Sequence, residues 1–238
     1  MFETGEACAA WHTKHVTALK CPRIEVDEIW SFVGRKEINV PEALRGKGIM
    51  GDTWTWVAID PVSKLIPCWH VGNRDALDAS IFVDDLKNRL ASRIQLTSDG
   101  LRIYLQAVEN SFGSEIDYAQ LIKMYGKQGQ TVGNEARYSP PVCIGARKKR
   151  IVGSPANDFI STSIVERQNL TMRMNIRRFT RLTNGYSKKT ENHKAAIALH
   201  FMYYNFARIH HTHRVTPAME AGISERIWSL EDIAALVT

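Results

Sequence analysis

The 238-residue sequence predicts an α/β fold in which helices cover the faces of a mixed five-stranded β-sheet. Three observations favour this fold. Three strand-like segments follow one another closely, which is typical of an antiparallel meander. Two more strand-like segments then alternate with helix-like segments, as in parallel strands joined by helical crossovers. Most of the remaining chain has helical periodicity, so we expect helices on the faces of the sheet.

The N-terminal segment, residues 3–20, has the periodicity of a helix, and Pro22 ends it. The expected buried side of this helix consists of Ala7, Ala10, Trp11 and Leu19. Three strands are expected next, over residues 23–33, 53–60 and 64–71. Pro67 in the third strand indicates a bulge or a sheet edge, because proline cannot donate to the ladder.

An alternation of helices and strands follows this meander. Asp75 or Asp78 can cap a helix. Its expected buried side consists of Ile81, Phe82, Leu86 and Leu90. A fourth strand over residues 93–99, a helix over 101–112 and a fifth strand over 116–125 complete the expected sheet.

Helical periodicity returns in the C-terminal third of the chain, over residues 161–179 and 187–210. The second of these helices is expected to bury Ala195, Leu199, Met202, Tyr203 and Phe206. A capping box of Ser229 and Asp232 predicts a final helix over residues 228–237.

The composition limits the class of protein. With 44% apolar and 24% charged residues, the chain has ordinary globular usage, which argues against global disorder. No stretch approaches the roughly 20 apolar residues of a membrane helix, and the acidic N-terminus does not resemble a signal peptide. The four cysteines lack paired spacing and are interpreted as reduced thiols. A cytoplasmic protein without a membrane partner is therefore expected.

The net charge of +6 is concentrated in one block. Residues 144–214 contain 14 Lys and Arg against 3 Asp and Glu, whereas residues 1–143 contain 16 against 18. The block overlaps residues 126–158, a Gly-, Pro-, Ser- and Asn-rich connection that we expect to be an insertion or a mobile loop. Such a block can be a solvated face, but it is also the pattern expected for phosphate binding.

Three carboxylates in or beside apolar segments are candidate metal ligands: Asp27, Asp99 and Glu166. Asp27 lies inside the first strand, Asp99 at the end of the fourth, and Glu166 near the start of a helix. Each alone is more often a turn, cap or salt-bridge residue. If the three converge, they can bind Mg²⁺, for which Mn²⁺ could substitute, and support in-line phosphoryl displacement.

The helix that contains Glu166 also presents basic residues. Helical spacing places Glu166, Asn169, Arg173 and Arg177 on one face. Since local acidic partners are few, DNA phosphates are the expected partners of these cations. The candidate DNA-binding residues are Arg147, Lys148, Lys149, Arg150, Arg167, Arg173, Arg177, Arg178, Arg181, Lys188 and Lys189.

Several segments together resemble the transposases of the IS1-like insertion-sequence family, from about residue 5 to the end. They are VDEIWSF (26–32), GDTWTWVAID (51–60), LTSDG (96–100), STSIVERQNLTMRM (161–174), RRFTRLTN (177–184), LHFMYYNFARIH (199–210) and TPAM (216–219). The resemblance implies an RNase H-like domain with a DDE triad of Asp27, Asp99 and Glu166. Arg173 occupies the position seven residues after the glutamate, where related families often have a basic residue.

The same resemblance implies a function. Such enzymes hydrolyse DNA at the element ends with Mg²⁺ and join the released 3′-OH groups to target DNA. The expected partners are the terminal inverted repeats, target DNA and further copies of the chain in a paired-end complex, in association with a bacterial nucleoid. A DNA-binding relic or regulator, or a metal-dependent nuclease of the same fold, are the alternatives.

The resemblance also suggests a domain organisation. Residues 1–22 are interpreted as a helical linker left from an N-terminal DNA-binding region, because family members carry a zinc ribbon and helix-turn-helix ahead of the catalytic domain. Residues 23–210 form the expected catalytic domain, and residues 211–238 a helical tail.

Other candidate sites have stronger structural explanations. Cys8, His12, His15 and Cys21 could bind zinc, but their spacing is unusual and zinc is disfavoured. His193 could reach the catalytic site or lie exposed on its helix. Four tryptophans, for which core packing is favoured over base stacking, are Trp30, Trp54, Trp56 and Trp69.

Overall fold

A computed structural model describes residues 1–126, 143–180 and 183–237. Its strands are β1 (Arg23–Val33), β2 (Gly51–Ile59), β3 (Trp69–Gly72), β4 (Gln95–Asp99), β5 (Asp117–Tyr125) and β6 (Cys143–Val152). Its α-helices are α1 (Phe2–His15), α2 (Ala76–Arg89), α3 (Ile103–Phe112), α4 (Ser163–Asn175), α5 (Thr190–Met202), α6 (Pro217–Glu220) and α7 (Leu230–Ala234). None of the helices in these ranges is both long and apolar enough to cross a membrane.

The strands form one mixed sheet in the order β3-β2-β1-β4-β5-β6. The first three strands make an antiparallel meander, and β1, β4 and β5 run parallel to one another. The α/β class with a mixed sheet is confirmed. The expected number of strands was wrong, because β6 adds a sixth, antiparallel strand beside β5.

Strand β6 lies within residues 126–158, where the sequence predicts a loop. It pairs with β5 from Tyr118↔Val152 to Tyr125↔Cys143. Its side chains are mostly exposed on both faces, so it carries no apolar alternation that could reveal a strand. Consecutive charges are a usual feature of edge strands, because they discourage pairing with another chain. The remainder of the predicted loop, residues 127–142, lies outside the described part of the chain.

The sheet separates two layers of helices. Val26 and Trp56 face one side, where they belong to a core cluster with α2 and α3. Ile29 and Val57 face the other side and pack in a second cluster with α4 and α5. Helix α1 packs on α5. The alternation along β1 therefore gives its side chains access to both layers.

Helix α1 is shorter than expected, and only part of its expected side packs against the core, through Trp11. Gly5, Cys8 and His12 are buried, whereas Ala10 is exposed. A Cβ at Gly5 would lie 2.5 Å from Ala195 of α5, so the two helices approach closely at this glycine. A contact made through small and polar residues does not have an apolar stripe, so the hydrophobic pattern identified only part of the buried side.

In the other helices, the predicted capping residues are confirmed, whereas some side chains that were expected to be buried are exposed. The side chain of Asp75 caps α2, and the capping box of Ser229 and Asp232 begins α7. Ile81 was expected to be buried but is 46% exposed, since it lies on the outer side of α2. Helix α5 ends at Met202, and a π-helical turn follows over Tyr203–Ala207.

This π-helical turn explains one further wrong prediction. Tyr203 was expected in the core but is 43% exposed. The change of helical period instead buries Asn205, whose side chain donates to the carbonyl of Ile66 and accepts from its amide, at 2.9 and 3.0 Å. The turn thus fixes the end of α5 to the segment that leads into β3.

Candidate metal centre and nucleic-acid surface

Asp27 and Asp99 lie close together in the middle of the sheet, where the parallel strands β1 and β4 stop pairing. Strands β1 and β4 pair from Arg23↔Gln95 to Glu25↔Thr97. If that register is continued by two residues, Asp27 lies opposite Asp99, and parallel partners point to the same side. The carboxyl ends of parallel strands are where α/β proteins place their sites.

A third carboxylate, from Glu28, joins this pair. Asp27, Glu28 and Asp99 each provide an oxygen, and the three oxygens lie within 4.8 Å of one another. We call these three residues the acidic cluster. Among the described residues, no other three His, Cys, Asp or Glu side chains lie close enough together to hold a metal ion.

Sequence reasoning missed Glu28 because alternation assigns it to the opposite face from Asp27. Its carboxylate lies on the α3 side, where it accepts from the Tyr104 hydroxyl at 3.2 Å and from Arg74 Nε at 2.7 Å. The available signal was the presence of two consecutive carboxylates in the middle of an apolar strand, since a strand that is buried on both faces rarely has acidic residues on both.

The acidic cluster is electrostatically unfavourable without a cation. Burial raises the pKa of Asp27 from 3.8 to about 7, and the neighbouring carboxylates of Glu28 and Asp99 contribute in the same direction. Burial and Asp99 also raise the pKa of Glu28, although Arg74 opposes this effect. A cation at the cluster would reverse these shifts, because it favours the charged carboxylates.

The donor set fits Mg²⁺. All three candidate ligands are carboxylate oxygens, which hard divalent cations prefer, and no sulfur or imidazole belongs to the group. Asp27 is also oriented, because Asn169 Nδ2 donates to its Oδ2 at 2.8 Å. Mn²⁺ prefers the same type of oxygen ligand.

Glu166, the third residue of the expected triad, lies outside the acidic cluster. Its carboxylate accepts from Lys123 Nζ at 2.5 Å and from Thr162 Oγ1 at 2.6 Å. It is nevertheless on α4, one turn before Asn169, and its charge contributes to the raised pKa of Asp27. The structure therefore brings two of the three predicted residues together and places the third nearby with another partner.

Glu25 fixes α4 beside the acidic cluster. Its carboxylate is 4% exposed and accepts from the amides of Ile164 and Val165, at 2.8 and 3.0 Å. These amides belong to the first turn of α4, where a negative charge is favoured by unpaired N–H groups and by the helix dipole. β1 thus contacts α4 through Glu25 at its start and through Asp27 one turn later. No local sequence pattern marks this role of Glu25.

The predicted basic residues fall into two regions. The run 147–150 lies exposed on the edge strand β6, where Lys148 and Arg150 also bond to Asn157. The second region follows from α4 onward: Arg167 is exposed, Arg173 is half-buried, and Arg177, Lys188 and Lys189 are exposed. Because α4 ends at Asn175, Arg177 lies in a short 3-10 turn rather than on the face of Glu166. Arg178 donates to Ser187 Oγ, and Arg181 lies outside the described residues.

His193 has neither of the two roles that the sequence suggested. Its ring is fully buried and bridges the hydroxyls of Ser31 and Ser187, at 3.0 and 2.8 Å. Burial lowers its pKa to about 4, so it is neutral at physiological pH. This histidine joins β1 to the segment before α5 and does not reach the acidic cluster.

The residues weighed as a zinc set occupy separate surroundings. His12 is buried and contacts Asn205 Nδ2 at 3.1 Å, and burial lowers its pKa to about 3. His15 is exposed and stacks on Trp11. Cys8 is buried, and desolvation raises its pKa to about 11.

Comparisons with known proteins give little further information. No family model matches this chain, and no curated protein matches it. Among solved structures, it is similar to the piggyBac transposase in a synaptic complex with hairpin DNA, determined by cryo-EM. The identity is 13%, the TM-score is 0.33, and the match covers 91% of this chain and 51% of the other. This chain thus spans about half the length of the transposase that it matches, and the similarity is too weak to assign a family.

Proposed function

We propose that this chain is the catalytic domain of a DDE transposase with an RNase H-like fold, related to the IS1-like insertion sequences. It cleaves DNA at element ends with Mg²⁺ and transfers the resulting 3′-OH ends into target DNA. The observation that carries this proposal is that Asp27 and Asp99 lie close together where β1 and β4 stop pairing, with Glu28 beside them. It is supported by the family resemblance of the segments that contain both aspartates.

Each residue in or beside the acidic cluster has its own role in this proposal. Asp27, Glu28 and Asp99 would hold the divalent cation, which supplies a Lewis acid that stabilises charge developing on the scissile phosphate. Asn169 orients Asp27 through its 2.8 Å hydrogen bond. Glu166 is the remaining residue that would hold the cation, in exchange for its ion pair with Lys123.

The flanking charges suit a polyanionic substrate. The basic run 147–150 is exposed on β6, and Arg167, Lys188 and Lys189 are exposed as well. These cations would bind DNA phosphates and position the strand for in-line attack. Copies of the chain would assemble around two paired DNA ends.

Strand cleavage and strand joining test the proposal separately. The substrates are a duplex with the element's terminal repeat, identified by sequencing the DNA around the gene, and the same duplex with a pre-cut 3′-OH. We expect Mg²⁺-dependent cleavage and joining by the wild type, and loss of both, by at least 100-fold, in Asp99→Asn and Glu166→Gln.

The matched control is Asp158→Asn, because Asp158 is an exposed aspartate outside the acidic cluster. It should keep full activity. Cleavage without any joined product would replace the proposal by a nuclease of the same fold. DNA binding without either reaction, unchanged in Asp99→Asn, would indicate a non-catalytic regulator and refute the proposal.

A further inference from the structure

A stripe of aromatic rings leads away from the acidic cluster along the β1–β2 hairpin. Trp30 and Trp54 are cross-strand partners, so their side chains lie on the same face. Phe32 follows two residues after Trp30, with ring centroids 5.8 Å apart, and Tyr186 lies 4.9 Å from Phe32. We call Trp54, Trp30, Phe32 and Tyr186 the aromatic stripe.

The stripe begins where the covering helices end. On the same face, Trp56 is fully buried and contacts Phe82 of α2 and Tyr104 of α3. The next cross-strand position, Trp54 with Trp30, is only half-buried. The rings of the stripe therefore keep part of their surface open to solvent, unlike the core tryptophan beside them.

Cations accompany the stripe along its length. The Arg74 guanidinium lies 4.7 Å from the Trp54 ring, and Lys36 Nζ lies 5.8 and 6.0 Å from the rings of Trp30 and Phe32. Arg35 and Lys36 line a groove with Phe32 and Tyr186. The bridge between Val33 and Ser187 also brings the exposed Lys188 and Lys189 to this end of β1.

Two carboxylates near the outer end of the stripe are engaged with the hairpin. Asp52 accepts from the backbone amide of Glu37, and the Glu37 carboxylate packs against Gly51 on β2. Among the described residues, the cations at this end include Arg35, Lys36, Lys188 and Lys189.

Arg74 connects the stripe to the acidic cluster. The same guanidinium that covers Trp54 bonds to the Glu28 carboxylate, with Nε at 2.7 Å and Nη2 at 2.5 Å. At about 3.3 Å per strand residue, Phe32 lies roughly 13 Å beyond Glu28. A strand that is positioned for chemistry at the acidic cluster therefore reaches the stripe within a few nucleotides.

We propose that the aromatic stripe stacks unpaired bases of the DNA strand whose phosphate lies at the acidic cluster. This inference rests on the proposed function and adds a substrate feature, a single-stranded or frayed segment beside the reacting phosphate. A duplex presents its phosphates and groove edges to a protein, whereas partly exposed rings flanked by cations suit bases with accessible faces. Stacking of this type tolerates any base sequence.

Binding without catalysis tests the inference. The probe is a forked duplex with 2-aminopurine in its unpaired arm, compared with a blunt duplex of the same length, both in EDTA. We expect Phe32→Leu, which keeps an apolar side chain but removes the ring, to weaken binding of the fork about tenfold. Binding of the blunt duplex should change less than twofold, and quenching of 2-aminopurine should decrease.

The matched control is Tyr203→Leu, because Tyr203 is another exposed aromatic residue, outside the stripe. It should bind both DNAs as the wild type does. Equal effects of Phe32→Leu on fork and blunt duplex, or none on either, would overturn the inference. A changed oligomeric state in sedimentation, with unchanged DNA binding, would also overturn it and make the stripe a protein contact.

Strand cleavage by the wild type, measured on the same fork in Mg²⁺, keeps the two proposals distinguishable, because the binding assay in EDTA does not report on cleavage. Normal stacking in a protein without strand cleavage would therefore refute the proposed function alone. Normal cleavage by a chain that ignores the unpaired arm would refute the stacking inference alone.

Discussion

Replacement of Asp27 by asparagine should make the metal-free protein more stable while removing its metal site. Asp27 is one of three carboxylates whose oxygens lie within 4.8 Å, and burial together with Glu28 and Asp99 raises its pKa from 3.8 to about 7. The substitution removes one charge at nearly constant volume. The amide oxygen that replaces the carboxylate can still accept from Asn169 Nδ2.

The magnitude and its sign follow from the pKa shift. Between pH 3.8 and 7 the unfolded chain has lost this proton while the folded chain still binds it, so stability falls as the pH rises. The shift of about 3 pKa units corresponds to about 4 kcal/mol once the pH exceeds 7. At pH 5 the penalty is roughly 1–2 kcal/mol, because only the interval from 3.8 to 5 contributes.

Urea denaturation in EDTA measures this difference. The free energy of unfolding of Asp27→Asn should exceed that of the wild type by roughly 1–2 kcal/mol at pH 5 and about 4 kcal/mol at pH 8. Asp158→Asn, which alters an exposed aspartate, should show no such increase. In Mg²⁺ at about 100 times its Kd, the wild type should gain about 2.7 kcal/mol. The Asp27→Asn variant should gain far less.

The result that would refute this reasoning is a difference between the two proteins that does not grow with pH. An Asp27→Asn variant less stable than the wild type at pH 8 would likewise show that the carboxylate forms a favourable interaction in the folded chain. Equal stabilisation of both proteins by Mg²⁺ would show that the cation binds elsewhere.

Three further predictions concern residues around the acidic cluster. Lys123→Met frees Glu166 from its ion pair, so Mg²⁺ should bind a few-fold more tightly by calorimetric titration, and weaker binding would contradict the exchange. Glu25→Ala leaves two amides of α4 without their acceptor and should cost about 2–4 kcal/mol in urea denaturation, whereas an unchanged midpoint would show that water replaces the carboxylate. Neutralising residues 147–150 should reduce the slope of log K against log salt for duplex DNA by up to about 3.6, and an unchanged slope would exclude β6 from the interface.

The sequence predicted the elements that a local pattern marks. The strands β1 and β2, the helix capped by Asp75 and the strand that ends at Asp99 follow from apolar runs, turn residues and a cap. The third strand was expected over residues 64–71, but β3 begins only after Pro67. The two aspartates become neighbours through the parallel pairing of β1 with β4, because Asp99 ends its strand whereas Asp27 lies inside β1.

The errors have a common physical origin, which is that burial can be decided by a partner far away in the chain. β6 is an exposed edge strand and needs only β5 as its template. The buried side of α1 is set by the close approach of Gly5 to Ala195. Tyr203 is exposed because the helical period changes after Met202.

The candidate site shows the same limit. Glu28 lies on the opposite face of β1 from Asp27, yet its carboxylate approaches those of Asp27 and Asp99. Its partner Arg74 lies 46 residues away in the chain. Glu166 was correctly placed at the start of a helix, but its ion pair with Lys123 depends on the position of β5. Pairings between distant residues of this kind cannot be derived from spacing alone.

The strand that carries the acidic cluster has an unusual sensitivity to changes in length. Within four residues of β1, Glu25 and Asp27 face α4, and Glu28 faces α3. Deleting one residue before this segment would exchange the two faces and send each carboxylate to the wrong layer. The connection between β1 and β2 bears no such constraint, so insertions and deletions should accumulate there between related chains while the length of β1 stays fixed.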